Sequence, residues 1–314
     1  MRPALLRTTL IRLGSVVFIG AIALAARLTG FDLLMFPELG ALSNDIIKRP
    51  YGKWASAPVM LVLTPLVTAI VGVWITNHMA FGVAAIVLDV AIALGVIEAI
   101  RSPIAPAISA GLLPLVLDVH SWWYPPAITA GTASLALISI VRRRFHPKTP
   151  VPSIRDKVDN VMEKAASNPL WLLPFLFVLV GLAFLAQHNG WRLLLFPPIV
   201  VIGFEMFAHP LVCPWAVRPW HLPLACTLGA LAGVGAVSLL GPGLGAVVSM
   251  MMGILILRVI DLHAPPVLAI GLLPTIMTRP TYSFVVLVLA STMILTISFR
   301  LWQVVCLHWM RRPT

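Results

Sequence analysis

Apolar residues run along this chain in long blocks, not in the alternation of a half-buried strand or the single stripe of a surface helix. In the first half the blocks fall near 10–30, 31–47, 55–77, 80–100, 103–119 and 124–142. In the second they fall near 169–187, 191–208, 220–240, 243–261, 265–279 and 282–304. Most match the ~20 residues that a helix needs to cross a bilayer. The second and fifth of each set are shorter and contain or follow proline, which predicts tilted, broken or re-entrant segments.

The two sets are also related in sequence. GFDLLMFPE (30–38) recurs as GWRLLLFPP (190–198), and Gly111-Leu112-Leu113-Pro114 returns intact as Gly271-Leu272-Leu273-Pro274, both 160 positions on. Asp45 then faces Glu205, and Arg49-Pro50 faces His209-Pro210. A four-residue identity and a Phe-Pro pair at one offset exceed the scattered matches expected of apolar chains. The expected organisation is a first membrane repeat over 1–142, a basic linker over 143–168 and a second membrane repeat over 169–314. The fold class is all-α: a polytopic membrane protein with two tandem repeats of about six membrane segments each.

Composition sharpens the solvent. The chain has 314 residues, 60% of them hydrophobic and 11% charged, with a mean hydropathy of +0.98. A water-soluble core cannot hide that much apolar surface, so lipid covers most of it. Lys and Arg outnumber Asp and Glu by 22 to 11, but they gather at the chain ends and in the central linker. That is the distribution of cytoplasmic loops, and it argues against a nucleic-acid face. The three cysteines form no ligand or redox motif and read as small buried hydrophobes. The basic, apolar N-terminus has the look of a signal peptide, but its length favours a retained first helix.

Positive-inside counting places three clusters in the cytoplasm: Arg2, Arg7 and Arg12; Arg142, Arg143, Arg144 and the linker lysines and arginines; and Arg311 with Arg312. Each half then crosses an even number of times, so the repeats run parallel, related by an axis along the membrane normal. The expected location is the plasma membrane, with multiple passes and both termini cytoplasmic.

Charges inside apolar blocks are costly, at ~2.5–3.5 kcal/mol each at mid-membrane on insertion scales, and mark functional candidates. At the 160 offset Glu98 corresponds to Arg258 and Arg101 to Asp261, so each half has an acid and a base three residues apart. On a helix this spacing puts both on one face, close enough to pair. Just beyond, Pro103-Ile104-Ala105-Pro106 and His263-Ala264-Pro265-Pro266 read as starts of short helices, where proline fits and free N–H groups meet the positive end of the dipole. With Arg101, Arg258 and His263 beside them, these starts are candidate anion cradles. Ser109, on the helix after Pro106, joins the candidate contacts. Asp45, Arg49, Glu205 and His209 form a second constellation, read either as a positive-inside loop or as an entry funnel for an anion. Glu98, Asp261, Asp45 and Glu205 would hold the cations or carry coupled protons.

Other features have plainer readings. His120, Trp122, Trp123 and Tyr124, with Trp54, Trp215 and Trp220, read as an aromatic belt at the lipid interface. Glycines from Gly229 to Gly245 suit close helix packing and a tight turn. No nucleophile–base set, metal-ligand spacing or cofactor motif is present, so neither enzyme, metal nor cofactor is expected.

The helix opened by His263-Ala264-Pro265-Pro266, with the apolar hairpin before it, resembles the HPP family of integral membrane proteins, named for a His-Pro-Pro signature. Ala264 interrupts the signature here, and Pro103 stands where the first half would carry the histidine. The resemblance covers about 36–120 and 196–280. Members have been linked to nitrite transport, so the resemblance implies a small-anion transporter. The expected partners are that anion and the lipid bilayer, without nucleic acid, and homo-oligomerisation stays open. Two rivals remain: a non-transporting membrane subunit assembled with a partner protein, and a lipid-modifying enzyme, which lacks the paired acids for metal and diphosphate.

Overall fold

A computed structural model describes residues 3–145 and 171–310, with the backbone alone for 3–12 and 306–310. The linker from residue 146 onward and the side chains of the terminal arginines and Cys306 lie outside it. The described residues are 82% helical and contain no strand.

The first half opens with α1 (Pro3–Thr29), then short α2 (Glu38–Lys48) and one-turn α3 (Lys53–Ser56). A hairpin of α4 (Pro58–His78) and α5 (Val83–Ala99) leads to short α6 (Ala107–Leu117) and long α7 (Tyr124–Phe145). The second half has α8 (Leu172–Asn189), short α9 (Pro197–Ala208) and one-turn α10 (Pro214–Val217). The run His221–Val259 breaks at Gly241, whose φ of 73° and ψ of 172° are not helical. We label its arms α11 (221–240) and α12 (242–259). A Cβ on Gly245 would stand 2.8 Å from the Val237 Cα, whereas eight residues of straight helix span about 12 Å. The run therefore doubles back as a hairpin. Short α13 (Pro266–Leu272) and long α14 (Tyr282–Met310) complete the chain.

Five helical runs are long and apolar enough to cross a bilayer: Pro58–His78, Tyr124–Phe145, Leu172–Asn189, His221–Val259 and Tyr282–Val305. Apolar side chains such as Phe177, Leu239 and Val259 face outward from the bundle, as a lipid-facing surface requires. The short helices differ. With 11, 11 and 12 residues, α2, α6 and α9 extend only about 17 Å, roughly half of a hydrocarbon core. They are buried along nearly their whole length, as is α13.

Local signals set these boundaries. Proline occupies the first turn of α4, α9, α10 and α13, where its missing N–H costs nothing. Gly30 and Gly190, both at φ 69°, end α1 and α8 with a bond from the next residue back to Ala26 and Ala186, the left-handed helix stop that glycine allows.

The halves interlock. The α1 helix lies against α12, where Gly20 meets Val247, and α8 lies against α5, where the Val83 N–H donates to Gln187. At the centre α2 packs on α13, with Gly40 facing Leu268 and Leu272, and α9 packs on α6. Within each half the hairpin grips the short helix through glycine. A Cβ on Gly72 would collide with the Gly111 carbonyl, and one on Gly233 with that of Gly271. Of the glycine-rich stretch, Gly229, Gly233 and Gly245 pack closely, while Gly235 and Gly243 meet nothing.

Candidate functional site

Where the four short helices meet, the two halves enclose a cavity of about 30 Å³, room for ~one or two water molecules. From the first half come Glu38 and Asp45 of α2, Arg49, Trp54 and Pro106; from the second come Pro198 and Glu205 of α9, Trp215, His263, Pro265 and Pro266. Three carboxyls thus face one guanidinium and one imidazole.

The guanidinium is tied down. Arg49 Nε donates to Asp45 Oδ1 at 2.7 Å, one helical turn back, and the side chains are 8% and 3% exposed. The same slot in the second half holds His209 after Glu205, with the His209 N–H bonded to the Glu205 carbonyl at 3.0 Å. His209 is half-buried and does not line the cavity.

The tryptophans beside these loops are not an interfacial belt. Trp54 and Trp215 are buried, and their indole N–H groups donate to the carbonyls of Pro103 at 2.8 Å and Ile202 at 3.2 Å. Tyr124 is likewise buried, its hydroxyl donating to Ala110. Each ring found an internal acceptor as well as an apolar slot, which a position read by itself does not reveal. Trp122, Trp123, Trp220 and His120 do lie exposed.

The sequence motif at residues 258–266 forms the wall of a second, open pocket of about 210 Å³. Lys48 and Asn44 of α2 face Arg258, Asp261 and His263 across it. His263 lines both this pocket and the cavity. Pro106 directly precedes α6, Pro265 directly precedes α13 and Pro266 is its first residue.

The expected charge pairing within each half does not occur. Arg101 and Asp261 lie past the ends of α5 and α12 with φ of 49° and 52°. Each is the left-handed residue of a helix stop, closed by bonds from Ser102 to Ile97 and from Leu262 to Leu257, so the helical i, i+3 geometry does not reach them. Glu98 and Arg101 are both exposed and form no ion pair among the described residues. Asp261 meets Arg218 at 3.4 Å instead of Arg258. Arg101 and Glu98 line neither the cavity nor the open pocket.

Sequence reasoning passes over two buried acids, Glu38 and Asp89. Glu38 is 2% exposed at the start of α2, Asp89 is 1% exposed in mid-α5, and no oxygen of either has a hydrogen-bond partner. Ser109 is buried beside Glu38, near enough for its hydroxyl to approach the carboxyl but without the geometry of a formed hydrogen bond. The signal was present: Asp89 is a lone charge in the apolar run 83–97, and such a charge marks a functional candidate by default.

At the opposite end of α6, Asp118, Arg192 and His120 line an open pocket of about 350 Å³. Arg192 Nη1 stands 2.6 Å from Asp118 Oδ1. That hydrogen bond, outweighing a slight burial, holds the Asp118 carboxyl below the ordinary value of 3.8. Among the described residues no group of three His, Cys, Asp or Glu is placed to hold a metal. Cys213 and Cys226 are buried free thiols. No family model, curated protein or solved structure matches the chain.

Proposed function

We propose that the chain is a membrane transporter or facilitator of a small anion of nitrite-like size and charge. The passage would run from the open pocket at Lys48, Arg258 and His263 into the cavity between the halves. The observation that carries this reading is the position of His263 on both walls. The outer pocket presents Lys48, Arg258 and His263 against one acid, Asp261, a balance that draws in anions. Inside, Arg49 is the fixed cation and Asp45 sets its orientation.

In this reading the chain is a duplicated unit, 1–142 and 169–314 joined by a cytoplasmic linker, with the repeats parallel and both termini cytoplasmic at the plasma membrane. The matched glycine contacts and helix stops in the two halves support it, as does the resemblance to the HPP family. Arg143 lies 5.7 Å from the Tyr51 ring, which puts the Lys48–Lys53 loop at the end of α7 where Arg142–Arg144 cluster.

A second reading, a non-transporting subunit of a larger assembly, is favoured by the cavity's narrowness, about 30 Å³ against about 210 Å³ for the open pocket. Uptake of nitrite by purified protein in proteoliposomes separates the two. Transport predicts saturable uptake that slows several-fold in Lys48→Ala and Arg258→Ala, both outside the buried core. Wild-type rates in both variants remove the entry pocket from the mechanism. No uptake by the wild-type protein favours the subunit.

A further inference from the structure

One helix contact is made twice in this molecule with different chemistry. In the second half Ser249 of α12 donates a 2.6 Å hydrogen bond to the Gly271 carbonyl, and its Oγ lies 2.9 Å from where a Gly271 Cβ would stand. At the matching positions, 160 earlier, the partners are Asp89 of α5 and Gly111 of α6. There the two carboxyl oxygens lie 3.0 and 3.1 Å from the Gly111 Cβ position. Asp89 thus occupies the place of a hydrogen-bond donor. A carboxylate only accepts, and the Thr68 carbonyl, 3.3 Å from the same point, is one more acceptor. A proton on Asp89 turns it into the donor that Ser249 already is, and it also removes a buried charge that no described residue pairs with.

Glu38 has the same problem at the cavity wall. It is buried, and among the described residues the nearby Ser109 hydroxyl is the side-chain group close to its oxygens, short of hydrogen-bond geometry. The Tyr124 hydroxyl, buried in the same region, already donates to the Ala110 carbonyl. The positions that correspond to Glu38, Ser109 and Tyr124 in the second half are Pro198, Ala269 and Phe284. The acids and hydroxyls therefore belong to the first half alone.

We propose that Glu38 and Asp89 are a proton-binding site of the first half: both carboxyls are protonated in the described conformation, Asp89 donates to the Gly111 carbonyl as Ser249 does to Gly271, and Glu38 takes up and releases its proton at the cavity. Its use as the coupling site for anion uptake rests on the transporter reading; proton binding does not.

The surroundings fit. Across the cavity Glu38 faces Asp45, Glu205, Arg49 and His263, and Arg49 is already bonded to Asp45. Around Asp89, α6 has no titratable residue, α4 has only His78, stacked on Trp74 at the helix end, and α8 has only exposed His188. From α7 comes Tyr124, with the arginines at the far end of that helix.

Infrared difference spectra of the full-length protein in lipid vesicles test this. Two protonated-carboxyl bands are expected at neutral pH, one lost in Asp89→Asn and the other in Glu38→Gln. The asparagine amide keeps a donor for Gly111, and Asp89→Ser copies the second half, so either variant preserves the fold. Absence of both bands overturns the proposal. In proteoliposomes an inward proton gradient is expected to speed wild-type anion uptake several-fold, and in Glu38→Gln the ratio of rates with and without the gradient falls to unity. Bands without any uptake support the proton site and overturn the transporter reading. Uptake indifferent to the gradient, with no bands, overturns the proton site and leaves the transporter.

Discussion

Arg49 and Asp45 hold each other at 2.7 Å, one turn apart, in the buried seam between the two halves of the chain. Taking two charges out of water is costly, and their attraction offsets that only while both are present. Arg49→Ala therefore removes the bonded cation from the buried Asp45 carboxylate and is expected to lower unfolding stability by up to about 3–5 kcal/mol. Arg49→Lys keeps the charge but loses the planar Nε contact, so it should fall between the two. Thermal unfolding in detergent reads the order. A full-stability Arg49→Ala protein would mean that the pair contributes no net stability.

Arg101 and Asp261 carry left-handed backbones at matching helix ends. Side-chained residues pay for that conformation, on the order of 1 kcal/mol, and glycine does not. Arg101→Gly and Asp261→Gly should each leave stability unchanged or raise it by up to about 1 kcal/mol. If Arg101 contacts the transported anion, Arg101→Gly instead stays folded and loses uptake. Melting temperature and uptake measured on one preparation separate the two roles.

Asp118 and Arg192 tie the end of α6 to the turn after α8. The bond lowers the Asp118 carboxyl below 3.8. Its stabilisation is therefore fully present above that unfolded value and is lost as pH falls through the lowered one. Asp118 is 60% exposed, so the contribution is below about 1 kcal/mol. Asp118→Asn, which tolerates the same backbone, should be slightly less stable than wild type at neutral pH. The two melting curves should converge in acid, once pH has fallen through the lowered value. A gap that persists there would assign the effect to packing.

The helices and their order were legible in the chain itself. Apolar block length, proline at helix starts and glycine at helix ends act through the local backbone, so they can be read without knowing what lies opposite. The hairpin at Gly241-Pro242 and the brevity of α2, α6, α9 and α13 were legible in the same way. The doubled GLLP motif was visible as well, but that its glycines, Gly111 and Gly271, each receive a neighbouring glycine of the hairpin emerged only from the packing.

What tertiary structure decided was pairing and burial. Spacing alone put Glu98 beside Arg101 and Arg258 beside Asp261, but the helices stop before Arg101 and Asp261, and the turn carries each away from its mate. Trp54 and Trp215 read as interfacial until their indoles were seen inside, on carbonyls distant in sequence. Whether Glu38 and Asp89 meet water, a cation or only carbonyl oxygens depends on helices brought in from far along the chain. The electrostatic cost of a buried charge is set by those neighbours, and no local pattern encodes them.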